Sequence, residues 1–263
     1  MNKTLILILI TSIMLAALPF TGFCAESEDN AVFVTVCNGS ILVASEKIEV
    51  TDADGDGALT INDALILTHD KFYNGNAQAG YSYASGDYGL YITKLWGDTS
   101  GGFGYYVNDL SAFSLTDPVA DGDRITAFVY TDQQTWSDTY CYFDKSSVDA
   151  VKGENITLTL LASGFDASFN PTTYPVSGAV ITVNGEKTEY VTDKDGKVTI
   201  TLSSAGRAVI SAVSDSAVLV PAVCKANVSE NAPTGDSAVF IAVAGGALLL
   251  SALYLHSLRK QYE

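Results

Sequence analysis

Histidine and cysteine are scarce in this 263-residue chain: two His and four Cys. No CxxC pair and no HExxH segment occurs, so thiolate zinc sites and zincin-type hydrolysis have no sequence pattern to rest on. Basic residues are few as well, 14 Lys and Arg against 30 Asp and Glu, for a net charge of −16. A surface that negative repels phosphate and removes nucleic acid as a partner. Charged residues of both signs make up only 17%, while 48% are hydrophobic. Such a composition buries cores and does not stay disordered. The length predicts one or two domains. With so few imidazoles, and no nucleophile beside one, composition points to a binding or structural protein and away from an enzyme.

Long apolar runs are confined to the two ends. Lys3 precedes an apolar stretch over 4–20, and the small residues around Cys24 and Ala25 follow it. This reads as a secretory signal peptide over 1–25. At the other end, 237–258 is long and apolar enough to predict a transmembrane helix. Arg259 and Lys260 lie in the short basic tail 259–263, which suits a cytoplasmic end. The expected localisation is therefore the cell surface, with an extracellular ectodomain anchored in membrane or wall. Between ectodomain and span, the linker 229–236 carries Asn231-Ala232-Pro233-Thr234-Gly235-Asp236. With the apolar run and basic tail that follow, it resembles a sortase sorting signal, which implies cleavage between Thr234 and Gly235. It departs from the usual Leu-Pro opening, since Asn231 and Ala232 hold those places.

The ectodomain divides near 146–153. Its first half, 31–147, opens on an apolar hairpin around Asn38-Gly39. A helix is predicted over 61–73, capped by Thr60 with Asp63 three residues on. Residues 75–87 read as a loop, and strands return at 88–95, 105–107, 124–131 and 140–143. Hairpin, helix and further strands make an α+β expectation. The second half, 152–228, shows six or seven short strands with Asn184-Gly185 and Asp195-Gly196 turns, an all-β sandwich pattern. Its 176–183 and 192–200 segments resemble immunoglobulin-like or carboxypeptidase-regulatory-like modules, which implies a spacer. Cys37, Cys141 and Cys224 are an odd number, so at most one pair forms. Cys37 with Cys141, both on predicted strands of the first domain, is the pairing open to them.

Residues 52–63 follow the spacing of a twelve-residue calcium loop. Asp52, Asp54 and Asp56 fill positions 1, 3 and 5. Gly57 turns the chain at 6, Ala58 offers a carbonyl at 7, and Thr60 stands at 9. Position 12 is Asp63 in place of Glu, as in dockerin-type loops. A strand precedes the loop where an EF-hand has a helix, and only one copy is present. The expected Ca²⁺ is therefore structural, inserted into the α+β domain.

Rigid aromatics also gather on Gly-rich sequence from Trp96 to Asn108. Gly104-Tyr105-Tyr106-Val107-Asn108, followed by Pro118-Val119-Ala120-Asp121-Gly122-Asp123-Arg124-Ile125, resembles the transcobalamin-like carboxy-terminal domain family, over about 31–145. That resemblance implies a β-grasp domain of the soluble-ligand-binding kind and a planar ligand such as a corrinoid. It would place Trp96, Phe103, Tyr105 and Phe113 as apolar contacts and Ser111 and Ser114 as hydrogen-bonding groups. No helical partner domain accompanies it here. Two functions follow: a surface receptor for a cobamide-like small molecule, or an adhesive or structural wall protein meeting a protein or glycan.

Overall fold

The structure, a computed structural model, describes residues 30–231. The leader, the sorting-like motif at Thr234, the span 237–258 and the basic tail lie outside the described residues. Among the described residues no helix is long and apolar enough to cross a membrane. The α+β expectation is corrected: half of the described residues are strand and 8% are helix, and the expected crossing helix 237–258 lies outside them. Two features explain the shift. The only helix longer than one turn among the described residues has 12 residues. The stretch 75–87, read as a loop, instead supplies strand β3 (Ser82–Gly86), which pairs antiparallel with β4 (Gly89–Lys94).

Strand β1 (Ala31–Asn38) lies between β2 (Ile41–Glu49), antiparallel to it, and β7 (Arg124–Val129), parallel to it. Beyond β7 come β5 (Phe103–Val107) and the short β6 (Leu110–Ser111), giving the order β2-β1-β7-β5-β6. A central strand covered on both faces reads as a nearly unbroken apolar run, and β1 does. Val32, Val34 and Val36 meet Ile61, Ala64 and Leu65 of helix α1 (Ile61–Phe72) in one core. Cys37 points to the other face and joins a separate cluster with Phe128, Tyr140 and Val220. Gly104 on β5 lies against Phe128: a Cβ there would come within 2.3 Å of the ring, so only glycine lets the strand approach. A one-turn helix α2 (Ala77–Gly80) leads into β3.

The second half is a sandwich of two five-stranded sheets. One follows the order β11-β10-β8-β16, and β14 pairs with the first part of β10, Asn155–Thr159. Its members are β8 (Thr139–Phe143), β10 (Asn155–Phe165), β11 (Pro171–Pro175), β14 (Lys197–Thr201) and β16 (Leu219–Val220). The other runs β13-β12-β15-β17-β9, from β12 (Val180–Val183), β13 (Glu186–Val191), β15 (Gly206–Val213), β17 (Cys224–Ser229) and β9 (Ser147–Val151). Alternate residues such as Ile156, Leu158 and Leu160 face Ile181, Ile210 and Ala226 across the core. The second half is thus the all-β sandwich expected of it, with β8 and β9 as further strands before residue 152. Strand β8, expected in the first domain, pairs instead with β10 and β16.

That reassignment changes the thiols. Cys37 and Cys141 belong to different halves, and Cys37, Cys141 and Cys224 are all free and buried. The Sγ of Cys141 donates to the Val220 carbonyl at 3.1 Å. Burial pushes the Cys141 and Cys224 thiols up to about 12, the character of core hydrophobes and not of nucleophiles.

The halves are tightly joined. Tyr106 stacks on Tyr140 with ring centroids 3.8 Å apart and planes 4° apart. Asp109, in the β5–β6 turn, accepts from Arg124 at 2.6 Å and from the Tyr140 hydroxyl at 3.1 Å. The Ser163 hydroxyl donates to the Asp109 carbonyl at 2.6 Å. Lys225 on β17 reaches back to Glu46 at 2.9 Å and to the Ser45 carbonyl at 3.1 Å.

Candidate functional site

The acidic loop closes through its buried last carboxylate. Asp63 is fully buried, and four donors hold it. Its Oδ1 accepts from the backbone N–H of Ala53 at 2.7 Å and of Asp54 at 3.2 Å. Its Oδ2 accepts from the Thr60 N–H at 2.9 Å and the Thr60 hydroxyl at 2.8 Å. Thr60 and Asp63 form a reciprocal capping box at the start of α1. The next two helical N–H groups, of Ile61 and Asn62, donate to the carbonyls of Asp117 and Leu115. Loop exit and helix entry are thus pinned to the turn at 114–117, ahead of β7.

The other predicted ligands divide. Carboxylate oxygens of Asp52, Asp54 and Asp63 lie within 4.8 Å of one another. Asp52 also organises the turn, accepting from Gly55 N–H at 2.8 Å, Asp56 N–H at 3.1 Å and Gly57 N–H at 3.0 Å. Gly57 takes φ +88°, as position 6 requires. Asp56 stands outside the convergent triad and accepts from the Ala58 N–H at 2.8 Å. Thr60 is buried and its hydroxyl is committed to Asp63, so position 9 serves the helix cap. Hard, convergent carboxylates are the donor type that suits Ca²⁺. Sequence reasoning missed Asn62. Its amide donates to Asp54 at 2.7 Å and its carbonyl accepts from the Tyr81 hydroxyl at 2.8 Å, tying the loop to the start of β3. An apolar run around Asn62 was the available signal, since a polar residue on the buried face of a helix needs partners.

Below the loop, His69 is fully buried on α1. Its Nδ1 lies 2.7 Å from the Leu65 carbonyl, and Nε2 accepts from the Trp96 N–H at 3.3 Å. These partners assign the neutral tautomer with the proton on Nδ1. Burial pulls its pKa down to about 4. Tyr81 stacks on the imidazole at 5.0 Å, and Trp96 and Tyr73 pack around it.

The six residues placed by the family resemblance do not gather around one cavity. Trp96 follows the end of β4, packed on His69 and Tyr73, and Phe103 lies half-buried on the first core. At the opposite end of β4, Ser114 is buried, its hydroxyl contacting the Leu90 N–H at 3.1 Å and Thr116 at 2.8 Å. Phe113 beside it is 73% exposed and meets Tyr88 edge-on at 6.1 Å. The Tyr105 hydroxyl donates to the Phe113 carbonyl at 3.4 Å. Ser111 is exposed on β6, where it borders a groove between the halves with Leu110 and Phe165. A larger cleft, of about 440 Å³, lies between β2 and the outer face of β12 and β15.

No family model matches the chain. No curated protein matches it either. Among solved structures, the N-terminal four immunoglobulin domains of Dscam1 isoform 4.44 align at 9% identity. That alignment covers 57% of this chain and 36% of the Dscam1 chain, with a TM-score of 0.23. The D0–D1 domain of intimin aligns at 19% identity over 56% of this chain and 76% of that one, with a TM-score of 0.22. The chain thus spans about a third of the Dscam1 structure, and TM-scores this low establish neither a shared fold nor a shared role.

Proposed function

We propose that the chain is a surface-displayed, non-enzymatic binding protein of the adhesive or structural kind. Its first domain meets a protein or glycan partner, and its sandwich domain carries that domain as a stiff support. The observation that carries this reading is the joint between the halves. The Tyr106–Tyr140 stack, the Asp109 contacts and the Lys225–Glu46 pair hold one domain on the other at several separate points. A joint of that kind transmits load and fixes the orientation of whatever the first domain presents. The chemistry of His69 agrees, because both its nitrogens are committed to backbone partners.

Calcium belongs to the same proposal. Asp52, Asp54 and Asp63, with the Ala58 carbonyl, would hold Ca²⁺ and brace the turn between β2 and α1. Chelation is then expected to lower the melting temperature of the purified protein. Ca²⁺ at about 100 times its dissociation constant would restore about 2.7 kcal/mol. An unchanged melt removes the calcium part. Sortase processing would join Thr234 to the wall, and an intact mass ending at Thr234 tests it. The binding part is tested by retention of the full chain on immobilised wall glycans and proteins, beside titration with corrinoids. Retention on either matrix supports the adhesive reading. Saturable binding of a corrinoid alone overturns it in favour of a small-molecule receptor.

A further inference from the structure

The strand order brings three connections to one end of the first sheet. Strands β1 and β7 run parallel, with Asn38 beside Val129, and β5 starts opposite them, with Phe103 beside Val129. The turn after Asn38, the loop 95–102 and the loop 130–138 therefore share that end. They are tied together. The Asn38 amide donates to Asp98 at 3.2 Å, and the Tyr130 N–H donates to the Gly102 carbonyl at 2.9 Å.

The loop 130–138 is braced from within. Asp132 accepts from the N–H groups of Gln134 at 3.0 Å and Thr135 at 3.1 Å, and from the hydroxyls of Thr135 and Ser137. Asp138 accepts from the N–H groups of Thr131 and Asp132, each at 2.8 Å. This frame holds Trp136 in the left-handed region at φ +52°, a conformation a bulky residue adopts only when its surroundings impose it. The indole is nonetheless 60% exposed. One side of it rests on Tyr130, centroids 6.1 Å apart and planes 28° apart, and Tyr130 rests in turn on buried Phe128. An outward aromatic on a strained, internally braced loop, backed by a core residue, is pre-organised for contact.

The surrounding chemistry selects the partner. No Lys or Arg occurs in 95–102 or 130–138, so an anionic glycan has no counter-charge there. Exposed on the same loops are the hydroxyls and amides of Thr99, Ser100, Gln133 and Gln134, beside the carboxylates of Asp98, Asp132 and Asp138, which accept hydrogen bonds from Asn38 and from within the loops. A single exposed aromatic among hydroxyls, amides and the carboxylates of Asp98, Asp132 and Asp138, with no cation, is poor in the apolar area that a protein interface core uses. It fits a sugar, whose ring offers one apolar C–H face and a rim of hydroxyls.

We propose that this loop end binds an uncharged saccharide chain, with Trp136 as the stacking face and Thr99, Ser100 and Gln134 as hydrogen-bonding groups. The inference deepens the adhesive reading and rests on it. The test uses the full chain carrying Trp96→Phe, which leaves Trp136 as the only tryptophan reporter. Oligosaccharides of β-1,4-linked N-acetylglucosamine, glucose and xylose are titrated against its fluorescence and by calorimetry. One of them is expected to bind saturably. Trp136→Ala, measured by calorimetry, is expected to weaken that binding about 30-fold with no change in melting temperature. Saccharide binding that survives Trp136→Ala overturns the assignment to this loop. Retention on a protein surface that depends on Trp136, with no saccharide bound, overturns the glycan partner and leaves the adhesive reading intact. No retention on any surface brings down both.

Discussion

The two halves stabilise their sheets by different means. The first half buries Asp63, Asn62, Thr68 and His69 beneath a single helix, each held by named partners. The second buries Thr182, Thr192 and Ser211 as its polar residues and otherwise closes an alternating apolar core. Buried polar networks add specificity at a risk, because a single lost partner leaves an uncompensated group. Plain apolar sandwiches degrade more gradually. The difference assigns the roles: the half with the demanding interior also holds the acidic loop and the braced Trp136 end, while the other half supports it.

The sharpest way to break this contrast is Asp63→Ala. It orphans four donors, two in the acidic loop and two at the start of α1, and the expected loss is about 3–5 kcal/mol, confined to the first half. The matched change Asp193→Ala, at an exposed hairpin turn of the second half, removes bonds to the N–H groups of Asp195 and Lys197. Its expected cost is under about 1 kcal/mol. Chemical denaturation read separately in each half compares them, and equal losses would abolish the distinction.

Next in size is the response to acid. His69 has a folded pKa of about 4, below its ordinary 6.5, because burial disfavours the imidazolium. The neutral form stabilises the fold, so this contribution is fully present above pH 6.5 and is lost as pH falls towards 4. The unfolded chain takes up the proton first, and the full effect is about 3 kcal/mol. Between pH 6.5 and 5 carboxylates contribute little, so that window reports His69. A denaturation series across it is expected to show declining stability that His69→Gln removes. A flat profile in the unmodified chain would contradict the buried neutral imidazole.

Much of this was legible in the sequence where local chemistry decides. The hairpin at Asn38-Gly39, the capping box of Thr60 and Asp63, and the alternating strands of 152–228 all depend on near neighbours. What escaped depends on distant pairing. Strand β8 has the same alternating Tyr140, Cys141, Tyr142 pattern whichever sheet it joins, and only its pairing with β10 places it in the sandwich. The consequence reached Cys37 and Cys141, expected on strands of one domain but placed on sheets of different halves, where both are free and buried. The stretch 75–87 hid a strand because its Gly and Ser residues signal a loop, while its pairing partner β4 supplies the apolar side chains. Trp136 was visible as an aromatic, but its exposure and φ are set by Asp132 and Asp138 acting across the loop.

The smallest expected effect probes the joint itself. Asp109 takes hydrogen bonds from Arg124 and from the buried Tyr140. Its side chain is 18% exposed and that of Arg124 42%, so the ion pair is partly screened and worth little alone. The larger share is Tyr140, whose hydroxyl sits in a buried position and loses a partner in Asp109→Ala. The expected cost is about 1–2 kcal/mol. Asp109→Asn keeps an acceptor for the tyrosine and should recover most of it. The informative readout is cooperativity. If the halves melt together because this joint couples them, Asp109→Ala should separate their transitions before it lowers either one strongly. Transitions that stay merged in the variant would mean that the Tyr106–Tyr140 stack and the Lys225–Glu46 pair couple the halves without it.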